Sequence, residues 1–522
     1  MTYNPSQPYP SARSPVAADN LVATSQPLAT QAGIDALRRG GNAVDAALAA
    51  AITLTVVEPN NNGVGSDAFC LLWDGAQVVG LNASGKAPEL MTLDRFAGLE
   101  QMPMFGWDAV TVPGCVSAWV ALSKRYGKLP FKDLFAAGIH YAEEGFPVGP
   151  KSAYYWQVLE KTYAKFDAFK AHFLPAPQAG EKFRRPELAQ TLKLIAATEG
   201  EAFYRGELAD AIEAASKAGG GALRKSDLEQ HECRWVEPTM QAYRDVVLHE
   251  IPPNGQGLAA QIALGILAHH DVGTVDSAEW VHTQVEAMKI AIDAAFKYIC
   301  DPDTASMSVD ALLDADSLRT AASRITDSAS DLPAVTLPVS ADTVYLTTSD
   351  ASGLMVSFIQ SNYMAFGSGI VIPGTGIAMQ NRGNGFVLDP DHPNCVGPGK
   401  RPFHTIIPGF VTSGGKPSLS FGVMGGHMQH QGHVQMVTRI YDHGQNPQAA
   451  SDAPRWHVYP DFTVGLEEGF APEVLAELEA RGHRVRFDER ESTFGGAQLI
   501  QKTPDGYVGG SDHRKEGLVA GY

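Results

Sequence analysis

No paired-cysteine pattern occurs in this chain. Its five cysteines, Cys70, Cys115, Cys233, Cys300 and Cys395, are odd in number, widely spaced and never arranged as CxxC. That argues against a disulfide scaffold or a thiolate metal knuckle and reads as reduced, buried thiols in a cytoplasmic protein. Long hydrophobic runs are missing too. The most apolar stretch, AALAAAITLTVV over 46–57, falls short of the roughly 20 residues that a membrane span requires. The opening, MTYNPSQPYPSARSPVAADN, has no charged region followed by an apolar core, so no secretory signal is expected. Positive charge is in deficit: 40 Lys and Arg against 58 Asp and Glu leave a net charge of −18, which argues against nucleic acid or an anionic membrane as partner. There is also no internal repeat, no heptad seam and no GxSxG serine elbow.

What remains is the composition of a globular protein. With 522 residues, 44% apolar and 19% charged, it has material for more than one core. Residues 1–18, rich in Pro and Ser, read as a loose leader. SQPLATQAGIDALRRGGNAVDAALAAAITLTVVEP predicts two helices broken at Gly40-Gly41, and AFCLLWDGAQVVGLN predicts a hairpin with Asp74-Gly75 at its tip. Residues 115–325 are mostly helical in pattern, interrupted by a strand candidate, DVVLHEIPP. Beyond residue 343, TVYLTTSD and LMVSFIQS flank ASG as a second hairpin, PSLSFGVMGG is a strand ending in glycines, and VLAELEARGHRV reads as a closing helix and strand. Strands bunched in two places with helices between them favour an α+β layered architecture over βαβ alternation.

Four features bear on chemistry. In GLNASGKAP, Gly80, Gly85 and Lys86 fit GxxxxGK, but Ala87 stands where a phosphate loop needs Ser or Thr. In GGHMQHQGH, His427, His430 and His433 recur every third residue and drift around a helix by about 120°. With Gln429 and Gln431 they read as a polar helix start, and neither metal nor cofactor is expected. Gly425-Gly426 ends a strand and opens that helix, which suits an oxyanion cradle as well as a plain strand-to-helix turn. Finally, the polar run SRITDSASDLPAVTLPVSAD stops abruptly at Thr343, where a strand begins. A threonine that becomes the first residue of a chain can use its own α-amine, of pKa near ~7.7–8.0, as the base for its hydroxyl.

Several segments, in one order along the chain, resemble the γ-glutamyltranspeptidase family of N-terminal-nucleophile hydrolases. They are VATSQPLATQAGIDALRRGGNAVDAALAAAITLTVVEPNNNGVGSDAF, VPGCVSAW, NGQGLAAQIAL, FGSGI, GPGKRPFHTIIP, DAPRWH and the terminal AGY. The resemblance implies a four-layer αββα sandwich and self-cleavage between Asp342 and Thr343. The products would be a large subunit over 19–342, behind the leader, and a small subunit over 343–522, with pairing of two such heterodimers left open. It further implies Thr343 as nucleophile, Ser361 as the hydroxyl on the threonine amine, and Gly425 and Gly426 as the oxyanion hole. Asn362 and Tyr363 are expected on the substrate side.

The substrate positions depart from the family pattern. The family arginine of F-R-E-x-A-P is Ser84 here, its Ser-Ser pair is His404-Thr405, and its Gln and Asp positions hold Arg382 and Gly385. Losing the carboxylate that pairs an ammonium costs about 3–5 kcal/mol, so a γ-glutamyl group is expected to bind poorly. The departures are similar to the family's acylase and amidohydrolase branch, which includes cephalosporin (glutaryl) acylases and oxamate amidohydrolase. Lys86, Arg382 and His404 are expected to form a cationic pocket for an acyl group that carries a carboxylate and no ammonium; structural ion pairing is the other reading. The expected function is amide hydrolysis of a small molecule through an acyl-enzyme. The alternatives are a true glutathione hydrolase or transpeptidase and an uncleaved binding protein.

Overall fold

The computed structural model describes residues 12–332, 335, 343–488 and 490–522. Its central strands are buried on both sides. In the strand Val344–Ser349, Val344 and Leu346 pack on helices while Tyr345 faces a second sheet. The neighbouring strands repeat the alternation: Cys70, Leu72, Val356 and Phe358 point to the helices, and Phe69, Leu71, Met355 and Ile359 point between the sheets. A strand buried on both faces has to lie inside a stack.

The result is a four-layer αββα sandwich. One sheet has the strand order Leu518–Gly521, Leu21–Thr24, Val344–Ser349, Met355–Ser361, Asp67–Trp73, Val78–Ala83, Arg234–Val236. The other runs Val16–Ala18, Gly506–Ser511, Gly496–Thr503, Lys416–Met424, Gly409–Ser413, Val246–Glu250, Thr239–Tyr243. Ala43–Val57, buried at every position and started by a capping box between Asn42 and Asp45, covers the first sheet. Gly257–Leu267 and Met428–Tyr441 cover the second. The five cysteines are free thiols. Among the described residues no helix is long and apolar enough to cross a membrane.

The helix break at Gly40-Gly41 and the Asp74-Gly75 hairpin tip are as expected, with Gly75 at φ 102°. Two local readings change. Val16–Ala18, read as part of a loose leader, is an edge strand in register with Tyr507–Gly509, and Arg13 Nη1 donates to the Gly517 carbonyl at 2.8 Å. The stretch read as closing, now helix Pro472–Ala480 and strand Val485–Phe487, is followed by three strands that return to both sheets. The phosphate-loop match in GLNASGKAP, already short of its Ser or Thr, fails in the fold as well: Gly80 lies inside the strand Val78–Ala83, where a Cβ would come within 2.8 Å of Val236. Asp342, half of the expected cleavage junction, lies outside the described residues.

Candidate active site

Strand register assembles the centre. Val344 pairs with Gln360, so Thr343 comes level with Ser361, and Ser361 in turn pairs with Asp67 on the next strand. The Thr343 hydroxyl donates to Ser361 Oγ at 3.2 Å and accepts from Gln429 Nε2 at 3.4 Å. Ser361 Oγ also accepts the Tyr363 amide at 2.8 Å. Ser361 therefore meets the threonine hydroxyl, and its expected contact with the threonine amine concerns the freed N-terminus.

Gln429 arrives from the facing sheet. That sheet's strand Lys416–Met424 ends at Gly425 and Gly426, with φ of 114° and 56°, before the helix Met428–Tyr441 begins. Side chains strain at such φ values, and a Cβ on Gly425 would also meet the Gly495 backbone at 3.0 Å. Gln256 ties the turn down: its Nε2 donates to the Gly426 and Thr405 carbonyls at 2.8 and 2.5 Å, and its Oε1 meets His430 Nδ1 at 3.0 Å.

Arg382 opens the short turn Arg382–Gly385 and is 1% exposed. Its Nη1 donates to Thr405 Oγ1 at 2.8 Å, and its guanidinium lies 4.7 Å from the Tyr363 ring centre. Among the described residues its Nε and Nη2 have no hydrogen-bond partner, and neither have the Tyr363 hydroxyl and Asn362 Nδ2. Burial lowers the Arg382 pKa to about 10, with Asp67 and Tyr363 opposing, so it stays a cation at neutral pH. Tyr363 and Ala365 have positive φ, 78° and 44°. Such strain in non-glycine residues gathers where a loop must present groups to a ligand.

The expected three-cation pocket is not what forms. His404 is fully buried. Its Nε2 donates to Asp67 Oδ2 at 3.1 Å, and its Nδ1 accepts the Ile406 amide at 3.4 Å. Burial, helped by Arg382, holds its pKa well below the ordinary imidazole range, so the ring is neutral. Ser84 is spent on Asn82 Oδ1 (2.7 Å) and Asn254 Nδ2 (3.2 Å). Lys86 lines a different cleft, with Arg234 and Arg401. Arg382 is thus the one member of the trio that brings charge to the cluster.

Asp67 escaped the sequence reading. Its Oδ1 accepts the Gly85 and Gly114 amides at 3.3 and 3.0 Å, and burial pushes its pKa up to about 7 against the pull of Arg382. Nothing in GVGSDAF marks it, and only strand pairing brings it beside Ser361. Gln256 and Gln429 were missed as site residues for the same reason. The three histidines part company: His430 goes to Gln256, His433 Nδ1 meets Glu250 Oε1 at 2.6 Å, and His427 stacks on Phe403. Among the described residues, the group with metal-ligand geometry is His282, Glu286 and His483. There the Lys289 ammonium already lies 2.7 Å from Glu286 and 3.3 Å from His483.

A buried threonine at the head of a central strand, opposite a diglycine turn, defines with this sandwich an N-terminal-nucleophile hydrolase that cuts amide bonds. The model of the Gamma-glutamyltranspeptidase family matches residues 29–522, and the chain belongs to that family. It is 35% identical over 525 residues to the glutathione hydrolase-like YwrD proenzyme of Bacillus subtilis (strain 168), covering 98% of this chain and 99% of that protein. It is likewise 35% identical over 512 residues to the oxamate amidohydrolase proenzyme of Klebsiella pneumoniae subsp. pneumoniae, covering 95% and 97%. Among solved structures, a cephalosporin acylase from Bacillus halodurans superimposes with a TM-score of 0.95 at 46% identity, covering 100% of this chain and 99% of that one.

Proposed function

We propose that this chain cleaves itself before Thr343 and then hydrolyses a small amide whose acyl group bears a carboxylate and no ammonium. Relatives named proenzymes, and a threonine that heads a buried strand after a polar run, support the self-cleavage. The freed Thr343 amine takes the proton from Oγ as Oγ attacks the amide carbonyl, and the Gly425 and Gly426 amides receive the oxyanion. The amine then protonates the departing nitrogen, leaving an ester on Thr343. Water, deprotonated by the same amine, releases the acid. Ser361 and Gln429 aim the hydroxyl throughout.

The observation that carries the substrate class is Arg382, a buried guanidinium with two nitrogens unpartnered among the described residues, in contact with Thr405 and Tyr363. Guanidinium pairs a carboxylate through two parallel hydrogen bonds. A partner for an ammonium is missing at the matching position: a Cβ on Gly385 would come within 2.5 Å of the Phe403 carbonyl. The nearby Asp67 carboxylate is spent on His404 and two backbone amides.

Two measurements test the reading. Mass spectrometry of the purified protein is expected to find a chain starting Thr-Val-Tyr-Leu, absent from Thr343→Ala. A glutaryl-type amide is expected to exceed its γ-glutamyl counterpart in kcat/KM; a tenfold preference for the γ-glutamyl compound, about 1.4 kcal/mol, would overturn the substrate class. Glutathione hydrolysis would then be the better reading.

A further inference from the structure

The cleft that holds Lys86 lies apart from the nucleophile. Lys86, Arg234, Arg401, His231, Val112 and Gly399 are among the residues lining about 200 Å³ of space, and Thr343, Arg382 and Thr405 are not. Arg401 is 3% exposed. Its Nε donates to the Ser84 carbonyl at 3.1 Å and its Nη2 reaches the Glu232 carbonyl at 3.5 Å, while Nη1 has no partner among the described residues. Nor does any described carboxylate lie within ion-pair distance of Arg401 or Lys86.

Three of the acids nearby are engaged elsewhere. Asp301 accepts the backbone amides of Arg401 and Asp303, at 2.6 and 3.0 Å. Asp227 accepts those of Glu89 and Arg224, at 2.9 and 2.7 Å. Asp303, more than half exposed at the rim, pairs with Arg234 at 3.2 Å. Glu89 and Glu232 are exposed residues of the lining. Lys86 and the Arg401 guanidinium therefore face the cleft with no described carboxylate in ion-pair contact, although Glu89, Asp227 and Glu232 share the lining. Asp301, Asp303 and Asp67 act on Arg401 from a distance, but a buried guanidinium nitrogen with no hydrogen-bond acceptor is costly, and the cost falls when an anion enters.

We propose that this cleft is a second, non-catalytic site for a small oxyanion of the phosphate or dicarboxylate kind. Arg401 Nη1 forms its floor, and Lys86 and Arg234 clasp the anion from the rim. The cleft has room for several non-hydrogen atoms and none for a nucleotide. Its floor reaches the active centre within a few bonds, because Arg401 holds the Ser84 carbonyl and the adjoining Gly85 amide holds Asp67. The site stands on its own observations, independent of the substrate assigned to Arg382.

Isothermal titration of the full chain with inorganic phosphate and with succinate, each against chloride at matched ionic strength, tests it. Saturable binding of at least one anion is expected. It should persist in Arg382→Ala and weaken at least tenfold in Lys86→Ala and in Arg234→Ala, two partly exposed positions whose loss should leave the Tm near its starting value. Phosphate and succinate arms of unequal strength would identify which oxyanion geometry the cleft prefers. Absence of binding above chloride would overturn the proposal. So would binding that is lost in Arg382→Ala and retained in Lys86→Ala, since the anion would then occupy the active centre and the proposed function alone would stand.

Discussion

Arg455 and Arg514 on one side, and Arg382 on the other, are equally buried and opposite in character. Arg455 Nη2 and Arg514 Nη1 meet the two oxygens of Asp512 at 2.5 and 3.1 Å, and Arg514 Nη2 meets Glu467 at 2.5 Å. Other guanidinium hydrogens go to the Phe494, Ser451 and Ala453 carbonyls, with Arg455 Nε left over. Burial pushes the Asp512 pKa up, but Arg455 and Arg514 overcome it and hold the carboxyl well below its usual range. That is a closed network of charges and donors. Arg382 makes one side-chain hydrogen bond, lies over one aromatic face and leaves two nitrogens unanswered among the described residues. Burial by itself therefore does not separate a structural arginine from one proposed to meet a ligand. What differs is the carboxylate: Arg455 and Arg514 hold one directly, and Arg382 holds none among the described residues.

Breaking the closed network should have the largest effect. Asp512→Ala leaves two guanidiniums buried without their shared carboxylate, and a stability loss of about 3–5 kcal/mol is expected in denaturant unfolding. An unchanged midpoint would dissolve the contrast. Arg382→Ala should do the reverse, leaving unfolding nearly unaltered while kcat/KM for a carboxylate-bearing amide falls by about 2–5 kcal/mol. The chain starting at Thr343 should still form in this variant, because maturation uses the chain's own peptide bond. If Arg382→Ala unfolds early and keeps its activity, the arginine is structural.

Arg382→Lys sharpens the same point with a smaller change. The charge stays and the two-pronged geometry goes, so a loss of about 1.5–3 kcal/mol in kcat/KM is expected. The smallest effect concerns pH. Asp67, with its pKa raised to about 7 chiefly by burial, favours the folded state while protonated, and that contribution is lost as pH rises through about 7. Asp512, with its pKa depressed, stabilises above the ordinary carboxylate pKa and loses that contribution only as the solution becomes strongly acidic. Unfolding free energy should thus fall by about 1 kcal/mol between roughly pH 6 and pH 8 through Asp67. Asp67→Asn should flatten that slope and leave the acid limb intact; equal slopes in both proteins would remove Asp67 from the account.

Much was legible beforehand. The two helices around Gly40-Gly41, the hairpin at Asp74-Gly75 and the strand that begins after Thr343 follow from local rules, because breakers, turn residues and alternation act over a few positions. Arg382 and Thr405 stood out because they break a family pattern. Reading Lys86 and His404 as cations of the same pocket failed for a physical reason. Lys86 leaves toward Arg234 and Arg401, and His404 is held neutral by burial. Asp67, Gln256 and Gln429 carry no local mark at all.

The sequence by itself determined the layers, the family and the threonine on which the chemistry is proposed to turn, since each rests on short-range pattern or on motifs in order. Tertiary structure decided the rest. It put Asp67 level with Ser361 by strand register, gave Asp512 two guanidiniums, and left Arg382 with two unanswered nitrogens among the described residues. Charge pairing and desolvation are relations between groups far apart in the chain. A residue's letter states its charge, while its partners, and hence its role, exist only once the sheets have stacked.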